Sequence, residues 1–167
     1  MLLELDEEER YTMGSFNHSL AQSQLTALLS NDKRFRTLVE LSLDASQIDL
    51  SQFGLKAKDE LIPDICIYDK EKASRPTEKG RDLMKMPQMP SLVIEILSPK
   101  QTINEIQGKF DAFFALGVKS CWLVVPATES ITVYSAPNDF KTFGTEATEI
   151  IDTRMDIHLS MENIFEW

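Results

Sequence analysis

Leu92-Val93-Ile94-Glu95-Ile96-Leu97 is a run of aliphatic and β-branched residues interrupted by a single charge. An apolar run of this length, without alternation, is the pattern of a strand covered on both faces. A carboxylate is expensive in such a place, because an unpaired buried charge must neutralise or find a cation. Glu95 therefore calls for a bound metal or a facing lysine. Upstream, Pro63-Asp64 opens a second apolar run, Ile65-Cys66-Ile67-Tyr68. Two acids on two core strands suggest a carboxylate pair that converges on a divalent cation.

The rest of the chain supplies a frame for these strands. Leu20, Leu25, Leu28 and Leu29 give a rough apolar stripe, predicting a helix from about Phe16 to Leu29. Ser15 or Asn17 would cap it, and Asn31-Asp32 would end it. Val39, Leu41 and Leu43 alternate with Glu40, Ser42 and Asp44, which predicts a strand with one wet face. Ile62 to Tyr68 is the second expected strand and Leu92 to Leu97 the third, stopped by Ser98-Pro99. Asp69 to Pro90 is a long polar connection of the kind that often carries function. Ile103, Ile106, Phe110, Phe113 and Phe114 keep helical spacing, predicting a helix from Thr102 to Leu116 closed by Gly117. Cys121 to Val125 and Ile131 to Ser135 read as a hairpin. Further strand-like pieces follow at 148–151 and 156–159, then a short helix from Met161 to Trp167. The order predicts one α/β domain over 1–167, a mixed sheet flanked by helices.

Composition bounds the function. At 167 residues and 43% hydrophobic content the chain can bury a core of its own. No stretch approaches the roughly 18–20 apolar residues of a membrane span. The acidic start, Met1 to Glu9, lacks a basic-then-apolar export signal, so a cytoplasmic location is expected. Cys66 and Cys121 lie inside apolar runs and read as buried free thiols. Two Cys and two His show no zinc-ligand spacing. Net charge is −10, which opposes casual binding to nucleic acid. From Lys70 to Lys85, however, six basic residues (Lys70, Lys72, Arg75, Lys79, Arg81, Lys85) stand against three acids (Glu71, Glu78, Asp82), a local +3. That segment is either a solvated loop or a polyanion contact.

Lys109 lies three residues after Ile106 and four before Phe113, so it leaves the edge of the packed helix face. Glu105, four residues earlier, could pair with it. With Asp64 and Glu95 on strands beneath the same helix, Lys109 could instead steady a phosphate.

Pro63-Asp64, Glu95-Ile96-Leu97-Ser98-Pro99, Glu105-Ile106-Gln107-Gly108-Lys109, Gly117-Val118 and Trp122 together resemble the PD-(D/E)XK nuclease superfamily. More narrowly, they resemble its bacterial branch of restriction-endonuclease-like domains of unknown function. The resemblance covers most of the chain, from the first helix to Ile164-Phe165. It implies a restriction-endonuclease-like fold and a Mg²⁺- or Mn²⁺-dependent hydrolase acting on DNA phosphodiester bonds. It implies Asp64 and Glu95 as metal ligands, with help from the backbone carbonyl of Ile96. The superfamily's lysine stands two residues after the second acid, where this chain has Leu97. In this branch the lysine moves to the following helix, which matches Lys109. His18 matches a position where the branch carries histidine near the site, although a lone histidine also serves as a cap or structural hydrogen bond. Glu40 could be an extra acid, but its alternation places it on the wet face. The expected partners are DNA, through Lys70 to Lys85, and a second copy of the chain; a membrane is not among them. The opposing reading is a catalytically inactive module that keeps the fold for protein interaction or regulation, favoured by the acidic charge and the displaced lysine.

Overall fold

The computed structural model describes residues 14–72 and 81–165. In chain order these form α1 (Phe16–Ser30), β1 (Phe35–Val39), β2 (Leu43–Asp44), β3 (Glu60–Leu61), β4 (Ile65–Asp69), β5 (Leu92–Ile96), α2 (Ile103–Ala115), β6 (Ser120–Val125), β7 (Ser130–Ala136), β8 (Asp139–Phe143), β9 (Glu149–Asp152) and β10 (Ile157–Ser160). Three 3-10 turns, Leu50–Phe53, Pro126–Thr128 and Met161–Asn163, punctuate them.

Six strands make one mixed sheet in the order β1-β4-β5-β6-β7-β8. Only β5 and β6 run parallel. A parallel neighbour needs a crossover, and α2 supplies it. The side chain of Thr102 caps α2 by accepting from Glu105 N–H. Its end is set by Gly117, whose φ of +99° is a conformation that suits glycine. β9 and β10 pair as a separate antiparallel ladder, as do β2 and β3.

The central strands are apolar on both sides because both faces of the sheet are covered. On one face Ala21, Leu25 and Leu29 of α1 pack with Ile65, Ile67, Leu92, Ile94, Ile96 and Trp122. On the other, Ile106, Phe110 and Phe113 of α2 pack with Cys66, Tyr68, Val93, Cys121 and Leu123. Each fully buried side chain of this size contributes about 1.5–3 kcal/mol. Cys66 and Cys121 are buried free thiols, and desolvation pushes the Cys66 thiol up to about 12. No helix among the described residues is long and apolar enough to cross a membrane.

Three expectations need correction. The strand expected over Val39 to Leu43 is not continuous: β1 starts earlier, at Phe35, and stops at Val39. Glu40 takes a φ of +51°, which turns the chain out of the ladder before Leu43 resumes against β3. The strand expected from Ile62 is split around Pro63, which has no N–H to give a ladder. The closing helix is a 3-10 turn over Met161–Asn163, and residues 166–167 of the expected span lie outside the described residues. The edge strand β8 was not legible: only Phe143 of its five residues is buried, so no period of two is written into it.

Asp152 is the least expected core residue. It is 1% exposed at the end of β9. Its Oδ2 accepts from Ser120 Oγ at 2.5 Å and Trp122 Nε1 at 2.7 Å, and its Oδ1 accepts from Arg154 N at 3.0 Å and Met155 N at 3.1 Å. These bonds fasten the β9–β10 hairpin to β6. Asp152→Ala would leave the Trp122 donor buried without a partner and Ser120 with only the longer bond to the Tyr134 carbonyl at 3.3 Å, a loss of about 3 kcal/mol. Urea denaturation should show that loss as a lowered midpoint. A loss of less than about 1 kcal/mol would mean that packing alone holds the hairpin.

Candidate functional site

β4 and β5 are antiparallel, with Ile65 facing Ile94. One step further along that register sets Asp64 across from Glu95. Directly opposed residues in an antiparallel pair share a face, and here it is the face covered by α2. One more step sets Pro63 across from Ile96. Proline offers no N–H, so the ladder stops there. The Asp64 carboxylate takes over: its Oδ2 accepts the Ile96 N–H at 2.7 Å. The Asp64 carbonyl accepts from Glu40 N at 3.1 Å and from Gln22 Nε2 at 3.0 Å. Asp64 is thus held by four donors or charges, the last being His18, whose Nε2 lies 3.2 Å from Oδ2.

His18 and Gln22 stand one turn apart on α1, which covers the opposite face of the sheet. They reach Asp64 because it lies just beyond the start of β4, where the sheet no longer separates the two helices. Ser15 caps α1 by accepting from His18 N–H at 3.2 Å and fixes the first turn that carries the imidazole. The hydrogen bond from Asp64 holds the His18 pKa above 6.5; burial opposes this, and the charges of Asp64 and Glu40 add to it.

Lys109 reaches the same place from α2. Its amine lies 3.7 Å from Glu95 Oε1. Gly108, the preceding residue, lets α2 approach the Leu50–Phe53 turn. A Cβ there would sit 2.7 Å from the Phe53 carbonyl oxygen, so any other residue would displace the helix that carries Lys109.

Glu95 is 2% exposed, and its Oε1 has no hydrogen-bond partner. Burial pushes its pKa from 4.5 up to about 8; Lys109 pulls it down, and Asp64 raises it further. Desolvation wins over the lysine, as expected for a buried pair of acids. His18, Gln22, Glu40, Asp64, Glu95, Ser98, Gln101 and Lys109 line one cavity of about 520 Å³. Volume alone does not single it out. A cavity of about 530 Å³ beside the C-terminal turn, lined by residues that include Glu129, Met161 and Phe165, has neither paired carboxylates nor a lysine.

The structure therefore brings together Asp64, Glu95, Lys109 and His18, all anticipated, with the Ile96 backbone between the two acids. Glu40 also lines this cavity while remaining solvent-exposed, as its alternation predicted; its φ of +51° marks the end of β1. Gln22 was missed; its only signal is the four-residue spacing from His18. Of the basic segment, Lys72 pairs with Asp69 at 3.6 Å and Lys85 with Asp59 at 3.0 Å. Arg75 and Lys79 lie outside the described residues.

The donor set fits a hard cation. The orphaned Glu95 Oε1 and the raised Glu95 pKa mark a carboxylate that lacks positive charge. Asp64, Glu95 and the Ile96 carbonyl offer oxygen alone. Among the described residues no group of three or more His, Cys, Asp or Glu is placed to hold a metal. Two carboxylates suit a cation that keeps several waters, as Mg²⁺ does, and not zinc.

A family model described as "Uma2: Putative restriction endonuclease" matches residues 3–160. Nothing among curated proteins matches the chain. Among solved structures, the fold is similar to that of a "putative nuclease belonging to DUF820" from Anabaena variabilis, with a TM-score of 0.72. The match covers 93% of this chain and 83% of that one at 22% identity, a likeness of fold.

Two raised pKa values in the site, those of Glu95 and His18, contribute to the pH dependence of stability between about pH 5 and 9. Glu95 goes from 4.5 to about 8, so folding favours its protonated form. Its contribution is complete below 4.5 and is lost as pH rises through about 8. His18, raised above 6.5, has the same sign. In chelator, the wild type should melt at a lower temperature near about pH 9 than near about pH 5. Glu95→Gln should flatten much of that slope, because it removes the larger shift. Parallel melting profiles for the two proteins would show that Glu95 is not held protonated.

Proposed function

Because the chain belongs to the Uma2 family, we propose that it is a divalent-metal-dependent nuclease that hydrolyses DNA phosphodiester bonds at Asp64, Glu95 and Lys109. One observation carries the reading. A fully buried glutamate whose Oε1 accepts no hydrogen bond and lies 3.7 Å from the Lys109 amine faces an open cavity beside a second carboxylate. A structural glutamate would be expected to be satisfied.

Asp64, Glu95 and the Ile96 carbonyl would hold Mg²⁺ or Mn²⁺. When bound, such a cation supplies Lewis-acid polarisation of a phosphate and lowers the pKa of water. Hydrolysis adds water to phosphorus and breaks one P–O ester bond. The Asp64 carboxylate is oriented by the Ile96 N–H and by His18, so His18 acts through Asp64 as a positioning residue. Glu95 is kept rigid by its place in the middle of a buried strand. Lys109 lies close enough to Glu95 to share its charge, and its ammonium would face the oxygens on which negative charge builds up. Basic residues between Lys70 and Lys85 would contact substrate phosphates, a reading that rests on their charge, since residues 73–80 lie outside the described residues.

Plasmid nicking in Mg²⁺ or Mn²⁺ tests the assignment, with Mn²⁺ titration calorimetry alongside. Glu95→Gln should abolish cleavage and weaken Mn²⁺ binding. Lys109→Ala should lower the rate by about 10²-fold, the scale for losing one charge-stabilising group. Lys100→Ala should leave the rate within about twofold, since Lys100 lies outside the cavity. Equal rates for the Lys109 and Lys100 variants would remove Lys109 from catalysis. A wild type that neither binds Mn²⁺ nor nicks DNA would leave a nuclease fold used for protein interaction.

A further inference from the structure

The catalytic cavity continues past Lys109. Ser98 and Gln101 line it and also line a second hollow of about 410 Å³, which reaches the first turn of α1. Phe16 lines that hollow and is 79% exposed. A lone exposed phenylalanine is ordinary. This one lines a hollow that adjoins the cavity of the two carboxylates through Ser98 and Gln101. Pro99 and Pro126 add apolar walls, and Asn17 and Gln101 add polar edges. Flat apolar faces with hydrogen-bonding groups at the rim match the shape and chemistry of a nucleobase, and the volume is within the range of ligand sites.

Charge argues for the same occupant. The chain carries a net −10, and the catalytic cavity places Glu40, Asp64 and Glu95 beside Lys109 and His18. In the basic segment Lys72 and Lys85 are each paired with an aspartate. Duplex DNA is held mainly through its phosphates, and a single strand carries half as many of them per unit length, so an acidic chain repels it less. Stacking of bases on an aromatic ring adds affinity of its own.

We propose that this hollow is a nucleobase subsite with Phe16 as its stacking platform, so that the substrate strand is unpaired where it is cut. The proposal deepens the nuclease reading and rests on it for the position of the scissile bond.

The test uses the full chain with a short single-stranded oligonucleotide carrying 2-aminopurine, and the same sequence as a duplex. In chelator, the wild type should bind the single strand about tenfold more tightly than the duplex and quench the 2-aminopurine. Phe16→Ala should lose about tenfold in single-strand affinity together with the quench, Phe16→Trp should retain both, and duplex binding should not change. Unchanged melting temperatures would show that both variants fold. Single-strand binding and quenching by Phe16→Ala equal to wild type would overturn the subsite, as would a wild-type preference for duplex. Cleavage in Mn²⁺ separates the two ideas. Phe16-dependent binding without cleavage of either substrate keeps the subsite and removes the nuclease. Equal cleavage of both substrates, unaffected by Phe16→Ala, keeps the nuclease and removes the subsite.

Discussion

Glu95 lies in the middle of a strand that is covered on both faces, and much of the site follows from the difficulty of keeping it there. A buried carboxylate must share a proton or meet a cation. Lys109 is placed to help by α2, the crossover that the parallel β5–β6 pair requires. Its help is partial, since burial still pushes Glu95 up to about 8. The protein therefore keeps a deficit of positive charge at the floor of an open cavity. That deficit is a liability for stability and an attraction for a divalent ion.

Asp64 solves a different problem at the same place. The antiparallel ladder between β4 and β5 must end somewhere, and Pro63 ends it by withholding a donor. Beyond that end the Ile96 N–H no longer bonds to a strand carbonyl. The Asp64 carboxylate accepts it, so one side chain both completes the backbone hydrogen bonding and sets an acid opposite Glu95. Because this happens at the sheet's end, α1 and α2 can both contribute side chains although they cover opposite faces. The Pro63-Asp64 dipeptide thus terminates the strand.

Acidity is the feature that most needs reconciling with a nucleic-acid substrate. The chain carries a net −10, and Lys72 and Lys85 of the 70–85 segment are engaged with aspartates. A bound divalent ion would offset the local charge. Stacking at Phe16 would add affinity of its own, and would favour strands whose bases are free.

The sequence by itself determined the core strands, both long helices and the four side chains of the site. Unbroken apolar runs, helical spacing and a lone buried acid are local signals, and burial on both faces writes them strongly. It could not determine what depends on partners distant in the chain. Glu40 is exposed, as alternation predicted, but its place at the cavity depends on the meeting of the end of β1 with Asp64. Asp152 carries no local mark of burial; its four donors come from β6 and from the turn that follows it. β8 lies at an exposed edge, where no face is buried and no period is imposed. The hollow beside Phe16 exists only because the β5–α2 connection, the turn after β6 and the start of α1 meet. Register and layer packing decided these features, since each joins segments that no short window of sequence contains.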